Sequence, residues 1–312
     1  MRIGWAEFLS LHFKNASKYH SIGIEIGEAN LHISTFRKKA KQLTWVKQHV
    51  IPIADWVPQL KKYVVKNGLA NTPCRVALSI AKYQILQVDK PAVAESEIAQ
   101  ALQWLVKEQL PGEEELILDY FDYPASSPSA AKLNVVAVAK KEIVDICRGI
   151  REAGLKLTDI GIEELATCDL VPGEDDAVMT LFQEPGDQVC LNIVKQNKLF
   201  FARRLRGYEN MSNLSPEELQ AGVCDTLSVE IQRSMDYFDS QLRQAPVKKI
   251  LIALDSPHQD TLAALIAQLT LLSVEAFEPA INLANDMQLS GASYVSLGAA
   301  MGYKGPMSET GT

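Results

Sequence analysis

The side chains best equipped for chemistry in this sequence are five cysteines and five histidines, and their spacing argues against the obvious uses. Cys74, Cys147, Cys168, Cys190 and Cys224 are odd in number, far apart, and form no Cys-x-x-Cys pair. A disulfide framework wants an even set at short spacings, and a zinc site wants paired thiolates, so buried thiols in a reducing compartment are expected. His12, His20, His32, His49 and His258 show no His-Glu-x-x-His or other ligand spacing, so no metal is expected. The formal net charge of −7 makes the chain a poor non-specific nucleic-acid binder. That charge is unevenly placed. The first 70 residues carry 11 Lys/Arg against 4 Asp/Glu, a net of +7, which leaves −14 on the rest. Two explanations stand open: chance with solvated faces, or a first lobe that meets an acidic surface or partner.

The elements that would position any site can be read from period and punctuation. Residues 1–20 mix Ile3, Trp5, Phe8, Leu9, Leu11 and Phe13 with basic residues. They suit either a short interfacial helix or a segment packing its aromatics on the domain. SIGIEIG (21–27) is a buried-type strand ending in Gly27, LHISTF (31–36) follows, and LTWVKQHVI (43–51) alternates, giving an antiparallel meander. A helix over 56–65 has Asp55 as its expected cap, and CRVALSI (74–80) returns as a buried strand. Ile98, Leu102 and Leu105 then recur at helical spacing, with Ser96 as cap and Pro111 just past the end. ELILDYFDY and KLNVVAVA flank the turn-forming PASSPSA as a hairpin, and a helix over 141–152 stops at Gly154.

VPGEDD (171–176) is the strongest boundary signal, and after it the same order recurs. AVMTLF, QVCLNIV and KLFFARRL are three close strands, followed by a long helix over 217–242 and a strand at 248–254. A helix near 260–270, a strand near 274–277, a helix over 293–301 and a flexible tail at 304–312 complete the chain. A repeated strand-strand-strand-helix-strand order around an inserted α/β module at 90–165 predicts an internally duplicated, two-lobed α/β protein. The lobes are expected at 21–175 and 176–303. The longest apolar stretch, 262–274, is too short for a bilayer helix, and MRIGWAEFLSLHF lacks a cleavage site, so a cytoplasmic location is expected.

Four stretches carry a resemblance. SIGIEIGEANLHIS resembles a phosphate-binding hairpin, and SEIAQALQWLVKEQLPGEEELILDYFDY resembles a helix-plus-strand module with its Trp and LP…LDY run. LSVEIQRSMDYFDSQ matches an EIxRSxDxY helix, and ASYVSLGAAMG a closing helix. Together, over about 20–303, they resemble the actin/Hsp70/sugar-kinase superfamily and within it the PilM-like pilus assembly proteins, most closely the MshI type of mannose-sensitive haemagglutinin (MSHA) systems. The resemblance implies a duplicated actin-like two-lobe α/β fold with a module inserted in the first lobe. It also implies a scaffold at the cytoplasmic face of the inner membrane. Its partners would be the tail of a PilN-like inner-membrane protein and the pilus assembly ATPase.

Nucleotide chemistry in this fold needs two glycine-tight hairpins that aim backbone N–H groups at phosphate, each with an acidic residue that positions metal and water. Carried over, the nucleotide set would be Glu25, Gly27, Asn30, Gly186, Asp187, Glu230 and Arg233. It departs from the family pattern in three places. Glu25 replaces the usual Asp. The second turn reads Gln183-Glu184-Pro185, and Pro185 offers no amide. Leu254-Asp255-Ser256 stands where the adenine turn wants glycines. Glu28 adds a repulsive carboxylate to the first turn. A pseudo-ATPase adaptor that takes no cofactor is therefore the leading expectation, with Glu230 and Arg233 in lobe-lobe ion pairs. An ATPase or sugar kinase using ATP and Mg2+ is the alternative, and binding without turnover lies between them. The partner groove would involve 74–80, 96–109 and 132–139, with Trp104 and Ser79 as contacts, although a Trp on an apolar helix face is more often core.

Overall fold

A computed structural model describes residues 17–39, 42–110, 115–124, 131–171, 173–289 and 291–302. The expectations for residues 1–16, for most of the PASSPSA turn and for the tail beyond 302 lie outside them.

The first lobe grows around β1 (Ser21–Ile26), six residues that are all buried because neighbours cover both faces. β2 (Asn30–Lys39) pairs antiparallel to β1 with Glu25 opposite His32. β3 (Gln42–Pro52) pairs antiparallel to β2, with a bulge beside Phe36. Helix α1 (Trp56–Asn67) buries Leu60 and Val64 and stops at Gly68, whose φ of 63° is open only to residues tolerant of the left-handed region. Asp55 precedes α1 as expected, but sits at φ 53° and its side chain makes no capping bond. β4 (Pro73–Leu78) then joins the other side of β1 in parallel.

β5 (Gln84–Asp89), α2 (Ile98–Gln109), β6 (Leu116–Asp122) and β7 (Lys132–Ala139) form a separate three-stranded sheet, ordered β5-β7-β6, with one helix against it. Ile98, Leu102 and Val106 form the buried stripe of α2. Leu105, expected there, is 36% exposed, since the face follows i, i+4, i+8. Ser96 lies in a 3-10 turn ahead of α2, and Glu97 takes the cap position without a side-chain bond. α3 (Lys140–Glu152) and β8 (Lys156–Ile162) return to the large sheet, where β8 lies parallel to β4. The inserted sheet therefore occupies 84–139 rather than 90–165.

After α4 (Glu163–Cys168) the pattern repeats. β9 (Val178–Phe182), β10 (Val189–Lys195) and β11 (Lys198–Leu205) make the meander, and β12 (Lys249–Ala253) and β13 (Ser273–Ala276) add in parallel. The two large sheets read β3-β2-β1-β4-β8 and β11-β10-β9-β12-β13, the same order with the same directions. Between β11 and β12 a capping box of Ser215 and Glu218 opens a helical stretch. That stretch breaks at Gly222 (φ 129°), and α5 (Cys224–Asp236) follows. α6 (Gln259–Thr270) covers the second sheet, and α7 (Tyr294–Met301) crosses back to β1. Two residues of the second half, β14 (Asn282–Leu283), pair with Thr44 and Trp45 at the outer side of β3. Each lobe has its own apolar core. A third core joins Phe36 and Trp45 to Phe182, Leu251, Phe277 and Leu297, so the lobes are fused by burial.

Candidate functional site

The two hairpins singled out in the sequence do meet, at the junction of the lobes. Glu25, near the end of β1, and Glu184 and Asp187, in the β9–β10 turn, line one small cavity with Glu163, Thr167, Arg204 and Tyr294. Its volume is about 20 Å³, room for roughly one water molecule.

Local sequence explains this closure. Gly27 is tight because its N–H donates to the Asn30 carbonyl at 2.9 Å, closing the β1–β2 turn. In the second turn the donors are already spent on protein acceptors. The Gly186 N–H donates to Asp255 Oδ2 at 3.1 Å, the Asp187 N–H to the Glu184 carbonyl at 3.0 Å, and the Gln188 N–H to Asp187 Oδ1 at 2.7 Å. Buried Gln183 stitches the turn to its neighbours. Its Nε2 donates to the carbonyls of Asp187 and Tyr208, both at 2.8 Å, and its Oε1 accepts from the Asp255 N–H at 3.1 Å. The expected phosphate turn and adenine turn are thus hydrogen-bonded to each other.

Electrostatically the junction is a seam of buried acids. Burial pushes the Glu25 carboxyl above its ordinary range, against the pull of His32 and of the Ser293 hydroxyl, which donates to Glu25 Oε2 at 2.7 Å. Glu184 is raised further, first by burial and then by Glu25 itself, and its Oε2 is buried without a hydrogen-bond partner. Two carboxyls this close, one buried and the other half-buried, cannot both ionise cheaply. Beside them Arg204 pairs with Glu163, and the Tyr83 hydroxyl donates to Glu164. Asn192 Nδ2 donates to Thr167 Oγ1 at 3.1 Å. Glu163 and Glu164 are each 2% exposed. Residue type and spacing alone did not single out Glu163, Glu164, Arg204, Tyr83 or Ser293. The adjacent acids directly after an apolar strand were the one signal for them.

Ligand atoms of Glu25, His32 and Glu184 lie within 4.8 Å of one another, so these three could hold a cation. Chain spacing could not reveal the grouping, because it draws on three separate segments. All five cysteines are free, and burial pushes the Cys74, Cys168 and Cys190 thiols up, which keeps them inert.

The remaining sequence candidates lie elsewhere. Glu230 accepts from Arg203 at 2.5 Å and from Arg233 at 2.8 Å. This ties α5 to β11 inside the second lobe, not lobe to lobe as expected, because β11 is the strand facing that helix turn. Trp104 is 70% exposed on the outer face of α2, so it is not core. Ser79 is buried at the end of β4 with its hydroxyl unpartnered. Among the described residues no helix is long and apolar enough to cross a membrane.

No protein-family model and no curated protein matches this chain. Solved structures do. The chain is similar to one from a PilM-PilN type IV pilus biogenesis complex, with a TM-score of 0.68 at 16% identity, over 91% of this chain and 98% of that one. It is similar to the cytoplasmic domain of EpsL, an inner membrane component of the type II secretion system of Vibrio cholerae, with a TM-score of 0.51 at 9% identity, over 89% and 94%. A Bacteroides thetaiotaomicron protein with an actin-like ATPase fold and unknown function gives 0.50 at 10% identity, over 86% and 95%. With two sheets of one order joined across a junction, the fold is the duplicated actin-like one.

Proposed function

We propose that this protein is a non-catalytic scaffold of a type IV pilus assembly machine, working at the cytoplasmic face of the inner membrane. It grips the cytoplasmic tail of a PilN-like membrane protein and meets the assembly ATPase as a second partner. The closed junction is the observation that carries the non-catalytic part. An actin-like enzyme needs a cleft of several hundred Å³ and free amides at its phosphate turns. Here the cavity is about 20 Å³ and three successive amides of the second turn are already paired. ATP with Mg2+ does not fit that arrangement. The scaffold part is supported by similarity in fold to a chain from a PilM-PilN complex and by Trp104, whose 70% exposure leaves an aromatic anchor free for a partner. The finer assignment, to an MSHA-type pilus, rests on the sequence resemblance alone.

The gathering of Glu25, His32 and Glu184 favours a second reading, a nucleotide-binding actin-like ATPase whose lobes open to admit a metal-bound ligand. Membrane fractionation tests the first. With the PilN-like partner present the protein should sediment with membranes, and deleting the partner's tail, or making Trp104→Ala, should release it. Retention without the partner would contradict the scaffold reading.

A further inference from the structure

The outer side of β3 is paired for only a short distance. β14 covers Thr44 and Trp45, and among the described residues no strand pairs beyond them along 46–51. Part of that free edge borders a groove. Val46, Lys47, Gln48 and His49 line a groove of about 560 Å³ whose opposite wall is α1, through Gln59, Lys62, Tyr63 and Lys66, with Asp286 and Met287 at one end. Four consecutive residues of one strand can line a groove together only when the strand's edge, not one face, forms its side. The wall is held in place by His49, stacked on Tyr63 at 4.4 Å between ring centroids.

The charge of this groove is one-sided. Lys47, Lys62 and Lys66 have no ion-pair partner among the described residues, and Asp286 is the one acid in the lining. Partial burial and then Lys66 hold the His49 pKa below its ordinary value, so His49 adds little to that charge. Lysines on an exposed edge discourage pairing with uncharged strands. The same lysines favour a strand that carries carboxylates.

We infer that this groove is a second docking site, which takes an acidic peptide segment in extended conformation as an added strand on the free edge of β3. Backbone pairing supplies affinity that does not depend on sequence, and the three lysines select for Asp and Glu on the incoming strand. Six open positions at about 3.4 Å each match the usual strand length of about 20 Å. The site lies on a different element from Trp104, so it does not rest on the proposed pilus role.

The test uses the full chain and a fluorescein-labelled, acetylated octapeptide of alternating glutamate and valine, followed by anisotropy. Saturable binding is expected, weakening with added salt and at least tenfold weaker in the Lys62→Glu/Lys66→Glu double variant, whose melting temperature should be unchanged because both side chains are exposed. Two peptides N-methylated at alternate residues separate strand pairing from mere charge. One register should bind like the parent and the other should lose binding. No binding by the acidic peptide, equal binding by the double variant, or equal binding by both methylated peptides would overturn the inference. So would sedimentation with phosphatidylglycerol vesicles that disappears in the double variant while the peptide fails to bind, since that outcome makes the groove a membrane contact.

Discussion

At the scale of single residues, the junction is governed by acids whose carboxyls burial pushes above their ordinary range. Glu25 and Glu184 are both raised, so the folded state holds protons that the unfolded chain gives up near 4.5. Where the folded state binds more protons, stability falls as pH rises. The contribution is fully present below the ordinary carboxyl value and is lost as pH climbs through the raised values. Glu184→Gln keeps the shape and removes the titration. It should flatten the fall and raise stability at pH 8 by about 1 kcal/mol, the scale of relieving one poorly satisfied buried polar group. For a chain of this size that is about 2 °C of melting temperature. A variant that is less stable at pH 8 than at pH 5 by the same margin as the parent would show that Glu184 does not carry the effect. Glu25 and Asp187 were legible because they lie beside Gly27 and Gly186 in stretches aligned with phosphate hairpins. Glu163 and Arg204 were not, since residue type does not say that a charge is buried until its partner arrives from a distant strand.

At the scale of elements, most strands were legible because apolar runs bounded by turn residues report themselves locally. Long-range pairing does not, which is why the module's bounds moved from 90–165 to 84–139 once β8 took its place beside β4. Leu105 misled for a local reason, since the buried stripe that starts at Ile98 and Leu102 continues at Val106 and leaves Leu105 36% exposed. The close contact of α7 with its neighbours was also invisible locally. A Cβ on Gly298 would stand 1.9 Å from the Ala166 carbonyl oxygen, and one on Gly23 would stand 2.0 Å from that of Ser296. Gly298→Ala should therefore cost about 1–3 kcal/mol or more by overpacking. Gly161→Ala, with open space around its Cβ and no positive φ, should be close to neutral. Equal midpoints for the two variants in urea would refute the packing assigned to α7.

At the scale of the whole molecule, the lobes of this actin-like chain are joined rather than hinged. Trp45 and Phe36 of the first lobe share a core with Phe182 and Leu251 of the second, and β14 extends the first sheet with residues from the second half. Under the proposed scaffold role, this apolar junction with its paired turn amides would hold the lobes together while their outer surfaces meet partners. Isothermal titration of the full chain with Mg-ATP tests this most directly. The account predicts no saturable heat at micromolar concentrations and no hydrolysis above background. A low-micromolar dissociation constant, roughly −8 kcal/mol of binding free energy, would contradict it.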